Sequence, residues 1–287
     1  LANNDKLGAQ AIADKLTEKQ TFEEAGIPVV PYRQIRNTQD LANFASERGF
    51  PFVLKSAKGG YDGYGNHTIY SKDDFEKAFS KLKGNDNQLI AEAFIELKQE
   101  VAVQVVASKN EVKTYPICET IQKNHICDEV ISPAELEKSI AKLINNYAQK
   151  ATKAIKGIGI FAYEFFIDKN NNVYLNESAP RPHNSAHYTI EGCQTSQFEN
   201  HIRAVTNDKL GKTTLKVRYA VMKNILGTQN GASQFVLKLP NKDNIFIHLY
   251  GKKQSRVGRK MGHLTITGDN LEELQKMARE YQGAITI

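Results

Sequence analysis

The sequence predicts an α+β protein in which most strands run antiparallel. Three observations lead to this fold class. Several segments carry apolar residues at helical spacing, and others are rich in β-branched residues or alternate between apolar and polar. Two strand pairs are joined by short turns, one rich in Gly and one rich in Asn. The strands come in runs between the helices, so a sheet with adjacent antiparallel partners is expected.

Helical spacing marks five segments, at residues 9–25, 71–84, 132–155, 196–205 and 270–282. The first ends at Gly26, and the second is capped by Ser71 and stopped by Gly84. The third is expected to begin with a capping box, Ser132–Glu135, with Pro at its first helical position.

Strand composition marks the segments between these helices. In chain order they read PFVLKS, HTIY, QLIAEAFI, EVAVQVVAS, IGIFAYEFFID, NNVYLNE, AVMKNIL, IFIHLYGK and HLTIT. The pattern returns to short strands from about Arg218. We expect a domain boundary shortly before this, near residue 210, with residues 1–210 and residues 211–287 as the two parts.

Composition excludes some classes of protein. The chain has 287 residues and a formal net charge of +6, which favours anionic ligands, although a mildly basic surface would give the same charge. No apolar run is long enough for a membrane helix, and no signal segment opens the chain. The three cysteines form no C-x-x-C pair, which indicates a reducing, cytoplasmic setting. Basic stripes interleaved with aromatic residues are absent, which argues against a nucleic-acid partner.

A pair of carboxylates is expected on the hairpin formed by IGIFAYEFFID and NNVYLNE. If the turn has four residues, Lys169–Asn172, then Glu164 lies directly opposite Glu177, with Cβ atoms about 5 Å apart. Two carboxylates at that separation repel each other unless a proton or a cation lies between them. Oxygen ligands suit Mg²⁺ or Mn²⁺. The alternative is a register that differs by one residue.

Two other stretches have the composition of anion sites. In the first, KSAKGGYDGYG, glycines after Lys55 could let backbone N–H groups surround a phosphate, although a plain glycine-rich hairpin has the same composition. In the second, GKKQSRVGRKMGH, Lys252, Arg256, Arg259 and Lys260 lie beside glycines, as in a phosphate site or a solvated basic turn.

The most polar stretch is NESAPRPHNSAHYT, residues 176–189. Pro180 and Pro182 lack the donors that a strand needs, and the segment is too polar for a core. A charged loop that follows a rigid strand is a common place for chemistry.

Together these features resemble the ATP-grasp ligases. The features are a Lys-bearing helix, a strand-flap-strand with a lysine, an EAF strand end and the carboxylate pair. The stretches NESAPRPHNSAHYT, YDGYG, AVMKNILG and GRKMGH resemble the N5-carboxyaminoimidazole ribonucleotide synthetases more specifically. The resemblance implies an ATP-grasp fold with a flap subdomain at about 28–95, and a small β-rich C-terminal domain. It also implies that the family's N-terminal nucleotide-fold domain is absent from this chain.

The resemblance further implies a reaction and its residues. ATP would phosphorylate bicarbonate to carboxyphosphate, and aminoimidazole ribonucleotide would be carboxylated, in a cytoplasmic homodimer of the purine pathway. The ATP-binding residues would be Lys15, Lys55, Gly60, Tyr61, Asp62, Gly63, Glu92, Phe94, Glu100 and Asn176. The metal ligands for Mg²⁺ or Mn²⁺ would be Glu164 and Glu177. The catalytic residues would be Arg181, His183, Asn184 and Lys252, the first three holding bicarbonate and carboxyphosphate. The ribonucleotide would contact Tyr61, Asp62, Lys252, Arg256, Arg259 and Lys260.

Two residues depart from the family's pattern. Ser178 stands where an aliphatic residue is usual, and Ala186 stands where Gly is usual, which would strain Ala186 if its φ were positive. His187 is expected to orient the loop. The rival hypotheses are another ATP-grasp ligase and a nucleotide-binding fragment without turnover.

Overall fold

The computed structural model describes residues 14–58, 65–82, 88–123, 126–240 and 242–287. These residues form two compact units. The first unit contains described residues up to Glu100, together with 146–157 and 163–180. The second contains 101–145, 158–162 and 181–287. Predictions that concern residues 9–13, Gly60, Tyr61, Asp62, Gly63 and Gly84 lie outside the described residues.

Seven α-helices occur in the described residues: α1 Lys15–Glu24, α2 Thr38–Arg48, α3 Phe75–Leu82, α4 Lys138–Ile155, α5 Thr189–Gly192, α6 Gln197–Thr206 and α7 Leu271–Ala284. The expected stop after the first helix is confirmed, since Gly26 has a φ of 70° just after the end of α1. Ser71 caps the short 3-10 turn that leads into α3, in a capping box with Asp74. No helix in this part of the chain is both long and apolar enough to cross a membrane.

The capping box expected at Ser132–Glu135 is wrong. Ser132 is the last residue of a strand and pairs with Ala220, and α4 begins six residues later, at Lys138. An N-cap residue directly precedes its helix, so Ser132 lies too far from α4 to cap it. Cross-strand pairing outweighs the local capping signal here.

The strands of the described residues are β1 Tyr32–Ile35, β2 Phe52–Ser56, β3 Asn66–Ile69, β4 Leu89–Ala93, β5 Leu97–Ala107, β6 Val112–Thr114, β7 Cys118–Lys123, β8 Ile126–Ser132, β9 Gly159–Asp168, β10 Val173–Ala179, β11 Tyr219–Leu226, β12 Gly231–Ala232, β13 Val236–Leu237, β14 Ile245–Leu249, β15 Gln254–Ser255, β16 Lys260–Gly268 and β17 Ile285–Thr286. The strands predicted from composition are thus present.

A four-stranded antiparallel sheet in the first unit has the order β1-β4-β2-β3. Helices α2 and α3 share one apolar cluster with this sheet, in which the rings of Phe44 and Phe52 meet edge to face at 5.2 Å. In the register of β2 with β4, Glu92 lies opposite Val53, which places its side chain on the same face as Lys55. The sheet therefore fixes a lysine and a glutamate as diagonal neighbours.

The hairpin of β9 and β10 has a shorter turn than expected. Asp168 N donates to Asn172 O, and Asn171 N donates to Asp168 O, with Asn171 in the left-handed region at φ 64°. This is a three-residue loop, Lys169–Asn171. Counting along both strands from the bonded pair, Asn176 lies opposite Glu164. The predicted pairing of Glu164 with Glu177 is wrong by one residue.

The second unit is built on antiparallel strands in the order β5-β7-β8-β11-β16-β14, with β6 beside β5. Helix α7 packs on β11 and β16 around Leu264, Leu274 and Tyr281, which are all buried. A second cluster of this unit includes Ala186 and Tyr188. The polar loop after β10 is therefore anchored in an apolar core at its far end.

Candidate active site

A buried charge cluster lies on the β2–β4 face of the first unit. The carboxylate of Glu92 is held between the ammonium groups of Lys19, at 3.1 Å, and Lys55. Burial opposes ionisation of Glu92, but Lys55 and Lys19 outweigh it and lower its pKa to about 2. The cluster carries two cations against one anion, so it attracts negative charge, as a phosphate-binding lysine should.

A second group joins the beginning of α1 to the end of β10. Lys15 Nζ lies 3.3 Å from Glu177 Oε1. Burial disfavours the charged lysine, but Glu177 and Glu18 outweigh this effect and raise the pKa of Lys15. The two predicted residues are thus neighbours.

Glu18 explains the unusual serine after Glu177. Its Oε1 accepts from both the backbone N and the hydroxyl of Ser178, each at 2.6 Å. An aliphatic side chain at position 178 could supply only one of these donors. Burial raises the pKa of Glu18 to about 7, with Lys15 and Ser178 acting against the shift. The two donors of Ser178 therefore replace hydrogen bonds to water that the carboxyl of Glu18 loses on burial.

The hairpin carries oxygen atoms that fit a divalent cation. Asn176 Oδ1 is buried and has no hydrogen-bond partner, and in the register described above Asn176 faces Glu164. Glu177 follows on the same strand with its side chain 48% exposed. A buried amide oxygen without a donor is costly unless something else satisfies it. Carboxylate and amide oxygens are suitable ligands for Mg²⁺, so the residues fit the expected metal.

Two more predicted ATP residues lie in the first unit, one just after β4 and one within β5. Phe94 directly follows β4 and is 52% exposed, which leaves its ring available for stacking. Glu100 lies within β5 and is partly buried.

The polar loop after β10 is fixed by amide side chains of the second unit. Asn184 and Asn224 exchange two hydrogen bonds of 2.8 Å, and Asn224 also donates to Cys127 O at 2.7 Å. Arg181 is exposed, and its Nη1 donates to Pro182 O at 3.1 Å. The loop thus presents Arg181 beside a rigidly held Asn184.

His183 and Ala186 belong to a 3-10 turn of this loop. His183 caps the turn Asn184–Ala186, and its Nδ1 lies 2.8 Å from Ser185 Oγ. Ala186 is fully buried and does not have a positive φ, so the strain that a missing glycine could have caused is not present. The substitution costs no backbone strain.

The basic stretch of the second unit forms a tight loop against β11. Lys252 Nζ donates to Lys260 O at 2.6 Å, and Arg259 Nη1 donates to Gln254 O at 2.7 Å. A Cβ atom on Gly227 would lie 2.2 Å from Arg256 O, so only glycine lets the loop approach this closely. Arg256 itself is exposed. Gly227 N also donates to Arg259 O at 2.8 Å, so the AVMKNILG and GRKMGH stretches are in contact through Gly227.

Three histidines of the second unit, His187, His248 and His263, have their rings in contact. The ring centroid of His263 lies 4.8 Å from that of His187 and 4.7 Å from that of His248. Burial, with smaller contributions from His248, Lys260 and Arg181, lowers the pKa of His187 to about 4. His187 is thus within electrostatic reach of Arg181 on the polar loop and of Lys260 on the basic loop.

Several residues of the site were not predicted from the sequence: Glu18, Lys19, Gln104, Ser185, Gln197 and Asn224. Their contacts join residues far apart in the chain, such as Glu18 and Ser178, which are separated by 160 positions. The one local signal was the serine at position 178.

Family models match two parts of the chain. A model of the ATP-grasp domain matches residues 20–198, and a model of the phosphoribosylaminoimidazole carboxylase C-terminal domain matches residues 220–277. A curated N5-carboxyaminoimidazole ribonucleotide synthase from Staphylococcus haemolyticus is 36% identical over 276 residues, which covers 96% of this chain and 72% of that protein. The chain belongs to the N5-carboxyaminoimidazole ribonucleotide synthase family.

Solved structures of this family extend the likeness to the fold. The Aspergillus clavatus synthase in complex with ADP and 5-aminoimidazole ribonucleotide matches with a TM-score of 0.85 and 33% identity, covering 96% of this chain and 73% of that one. The Thermotoga maritima synthetase matches with a TM-score of 0.83 and 36% identity, covering 97% and 73%. The expected ATP-grasp fold and α+β class are confirmed.

Proposed function

We propose that this chain carboxylates aminoimidazole ribonucleotide to N5-carboxyaminoimidazole ribonucleotide, using ATP and bicarbonate, in de novo purine synthesis. The observation that carries the proposal is the solved complex of a family member with ADP and 5-aminoimidazole ribonucleotide, whose fold extends over 96% of this chain. The reaction class is an ATP-dependent ligation that forms a carbon–nitrogen bond.

The chemistry divides into two transfers. A bicarbonate oxygen attacks the γ-phosphorus of ATP, so ADP leaves and carboxyphosphate forms. The exocyclic amine of the ribonucleotide then attacks the carboxyl carbon, or CO₂ released from carboxyphosphate, and inorganic phosphate leaves while the amine loses a proton. Little covalent chemistry is asked of the protein, so its task is to position anions and stabilise charge.

The residues of the first unit would hold ATP. Lys55 and Lys15 would contact the phosphates, and each already lies against a carboxylate whose place a nucleotide phosphate could take. Mg²⁺ would be held by oxygens of Glu164 and Asn176, which face each other across the hairpin, and by Glu177 once its half-exposed side chain turns towards them. When bound, it would neutralise phosphate charge. The unpartnered Asn176 Oδ1 supports this assignment.

The residues of the second unit would hold the other substrates. The permanently charged fork of Arg181 suits a bicarbonate or carboxyphosphate oxyanion, next to His183 and Asn184. The basic loop with Lys252, Arg256, Arg259 and Lys260 would bind the ribonucleotide phosphate. We also propose that the domain boundary lies near residue 210, and that the enzyme is a cytoplasmic homodimer, which size-exclusion chromatography with light scattering would test.

Phosphate release from ATP tests the function. We expect release to need bicarbonate and to rise with aminoimidazole ribonucleotide. Glu177→Gln should lower it about a hundredfold or more, because a carboxylate ligand of the Mg²⁺ that offsets the phosphate charge is lost. The matched control is Glu96→Gln, which removes an exposed carboxylate paired with Lys169. Equal rates for the two variants at saturating Mg²⁺ would contradict the metal assignment.

A further inference from the structure

Two donors converge on one ring nitrogen of His183. Ser185 Oγ lies 2.8 Å from Nδ1, and the backbone N of Ser185 donates to the same atom at 3.4 Å. A backbone N–H can donate but cannot accept. Nδ1 must therefore be an acceptor, which leaves the ring proton of a neutral His183 on Nε2.

A buried glutamine fixes the direction of the serine hydroxyl. Gln104 Nε2 donates to Ser185 Oγ at 2.9 Å, and both side chains are within 1% of complete burial. A hydroxyl has a single proton. Gln104 presents a donor to this oxygen and Nδ1 is an acceptor, so the single hydroxyl proton is directed towards His183 Nδ1.

A second buried glutamine holds the backbone of the same histidine. Gln197 Oε1 accepts from His183 N at 2.9 Å, which identifies the other end of the amide as the donor. That end, Nε2, donates to His183 O at 2.8 Å and to His187 Nδ1 at 3.0 Å. His187 is therefore also protonated on Nε2. Gln197 has no exposed surface, so its two hydrogen bonds to the backbone of His183 are shielded from water.

We propose that Ser185, oriented by Gln104, is a positioning residue that holds His183 in the Nε2–H tautomer, so that His183 serves as a hydrogen-bond donor to the bicarbonate or carboxyphosphate anion. The proposal rests on the proposed function for the identity of the anion. The tautomer itself follows from the hydrogen bonds of the second unit alone.

The tautomer decides what His183 can do. A neutral imidazole with its proton on Nε2 offers a donor on that side and holds no lone pair there to accept a proton. His183 is then a stabiliser of negative charge and not the base that deprotonates bicarbonate or the amine. The donor also stays in place during phosphoryl transfer, because no proton has to move to create it.

Nitrogen NMR of the full chain labelled with ¹⁵N-histidine reads the tautomer directly. The chain has seven histidines, and the signals of His183 are assigned by their loss in His183→Gln. We expect a proton on Nε2 and none on Nδ1 in the wild type at neutral pH. A proton on Nδ1, or rapid exchange between the two nitrogens, would overturn the proposal.

The variant Ser185→Ala removes the hydroxyl donor. We expect the Nδ1-protonated form of His183 to gain population, because only the 3.4 Å backbone donor then remains, and bicarbonate-dependent phosphate release to fall about tenfold, the effect of one hydrogen bond. The KM for ATP should stay within about twofold. Ser108→Ala, at a serine in the turn after β5, is the matched control. A wild-type tautomer and rate in Ser185→Ala would contradict the proposal.

Gln104→Leu provides a second variant if Ser185→Ala does not fold. It should free the hydroxyl to rotate, populate the Nδ1-protonated form and lower the same rate. A wild-type tautomer in Gln104→Leu would count against the positioning role. If the wild type releases no phosphate with bicarbonate, the proposed function fails, while its NMR spectrum still decides the tautomer.

Discussion

Removing the charge of Glu92 should destabilise the first unit more than any surface change. Glu92→Gln leaves the ammonium groups of Lys19 and Lys55 without their shared carboxylate, and the side chain of Lys19 is only 3% exposed. Breaking a buried ion pair by removing one partner costs about 3–5 kcal/mol. We expect a loss near the lower limit, because Lys19 can give up its proton: its pKa is already lowered, chiefly by burial.

Urea unfolding at neutral pH, followed by tyrosine fluorescence, measures this loss as a change in the free energy of unfolding. Glu96→Gln is the control, because its pair with Lys169 is about two-thirds exposed on both sides and should contribute no more than about 1 kcal/mol. Lys19→Met should cost less than Glu92→Gln, since Glu92 keeps Lys55. Equal losses of stability in Glu92→Gln and Glu96→Gln would contradict a stabilising role for the buried charge of Glu92.

Two further predictions concern Glu18 and Arg181. Burial raises the pKa of Glu18 from 4.5 to about 7, so the folded chain holds this proton longer than the unfolded chain, and the stabilising contribution falls as pH rises through about 7. The free energy of unfolding of Glu18→Gln relative to wild type should therefore rise by about 3 kcal/mol between pH 4.5 and pH 8, and a difference that does not change with pH would count against this. Arg181→Lys should lower bicarbonate-dependent phosphate release by about ten- to a hundredfold, because a forked, charge-assisted hydrogen bond is lost, while ATP affinity stays near wild type. If Arg181→Lys instead lowers the melting temperature and changes the kinetics with bicarbonate and with ATP equally, then Arg181 has a structural role and does not bind the anion.

Local sequence signals predicted most elements but not their register. The hairpin of β9 and β10 was expected from composition, yet the position of its turn depends on Asn171, which adopts a left-handed φ of 64°. That conformation shortens the loop by one residue and moves Asn176, instead of Glu177, opposite Glu164. A sequence of three asparagines does not reveal which of them takes this role.

The partners that hold the candidate site could not be predicted from the sequence. The polar loop was found because its composition is unusual, and Arg181, His183 and Asn184 lie on it. The residues that orient it, Gln104 and Gln197, come from other elements and look like ordinary polar positions in the sequence. Their role depends on burial and on tertiary contacts, which no local pattern encodes.

Incorporation of ¹³C-bicarbonate tests directly whether this chain carboxylates the exocyclic amine of aminoimidazole ribonucleotide. The chain is incubated with ATP, Mg²⁺, aminoimidazole ribonucleotide and ¹³C-bicarbonate, and the products are followed by ¹³C NMR alongside ADP formation. We expect a carbamate carbon bonded to the exocyclic nitrogen, formed in step with ADP. ADP formation with no such carbon, or a labelled carboxyl on a ring carbon, would contradict it.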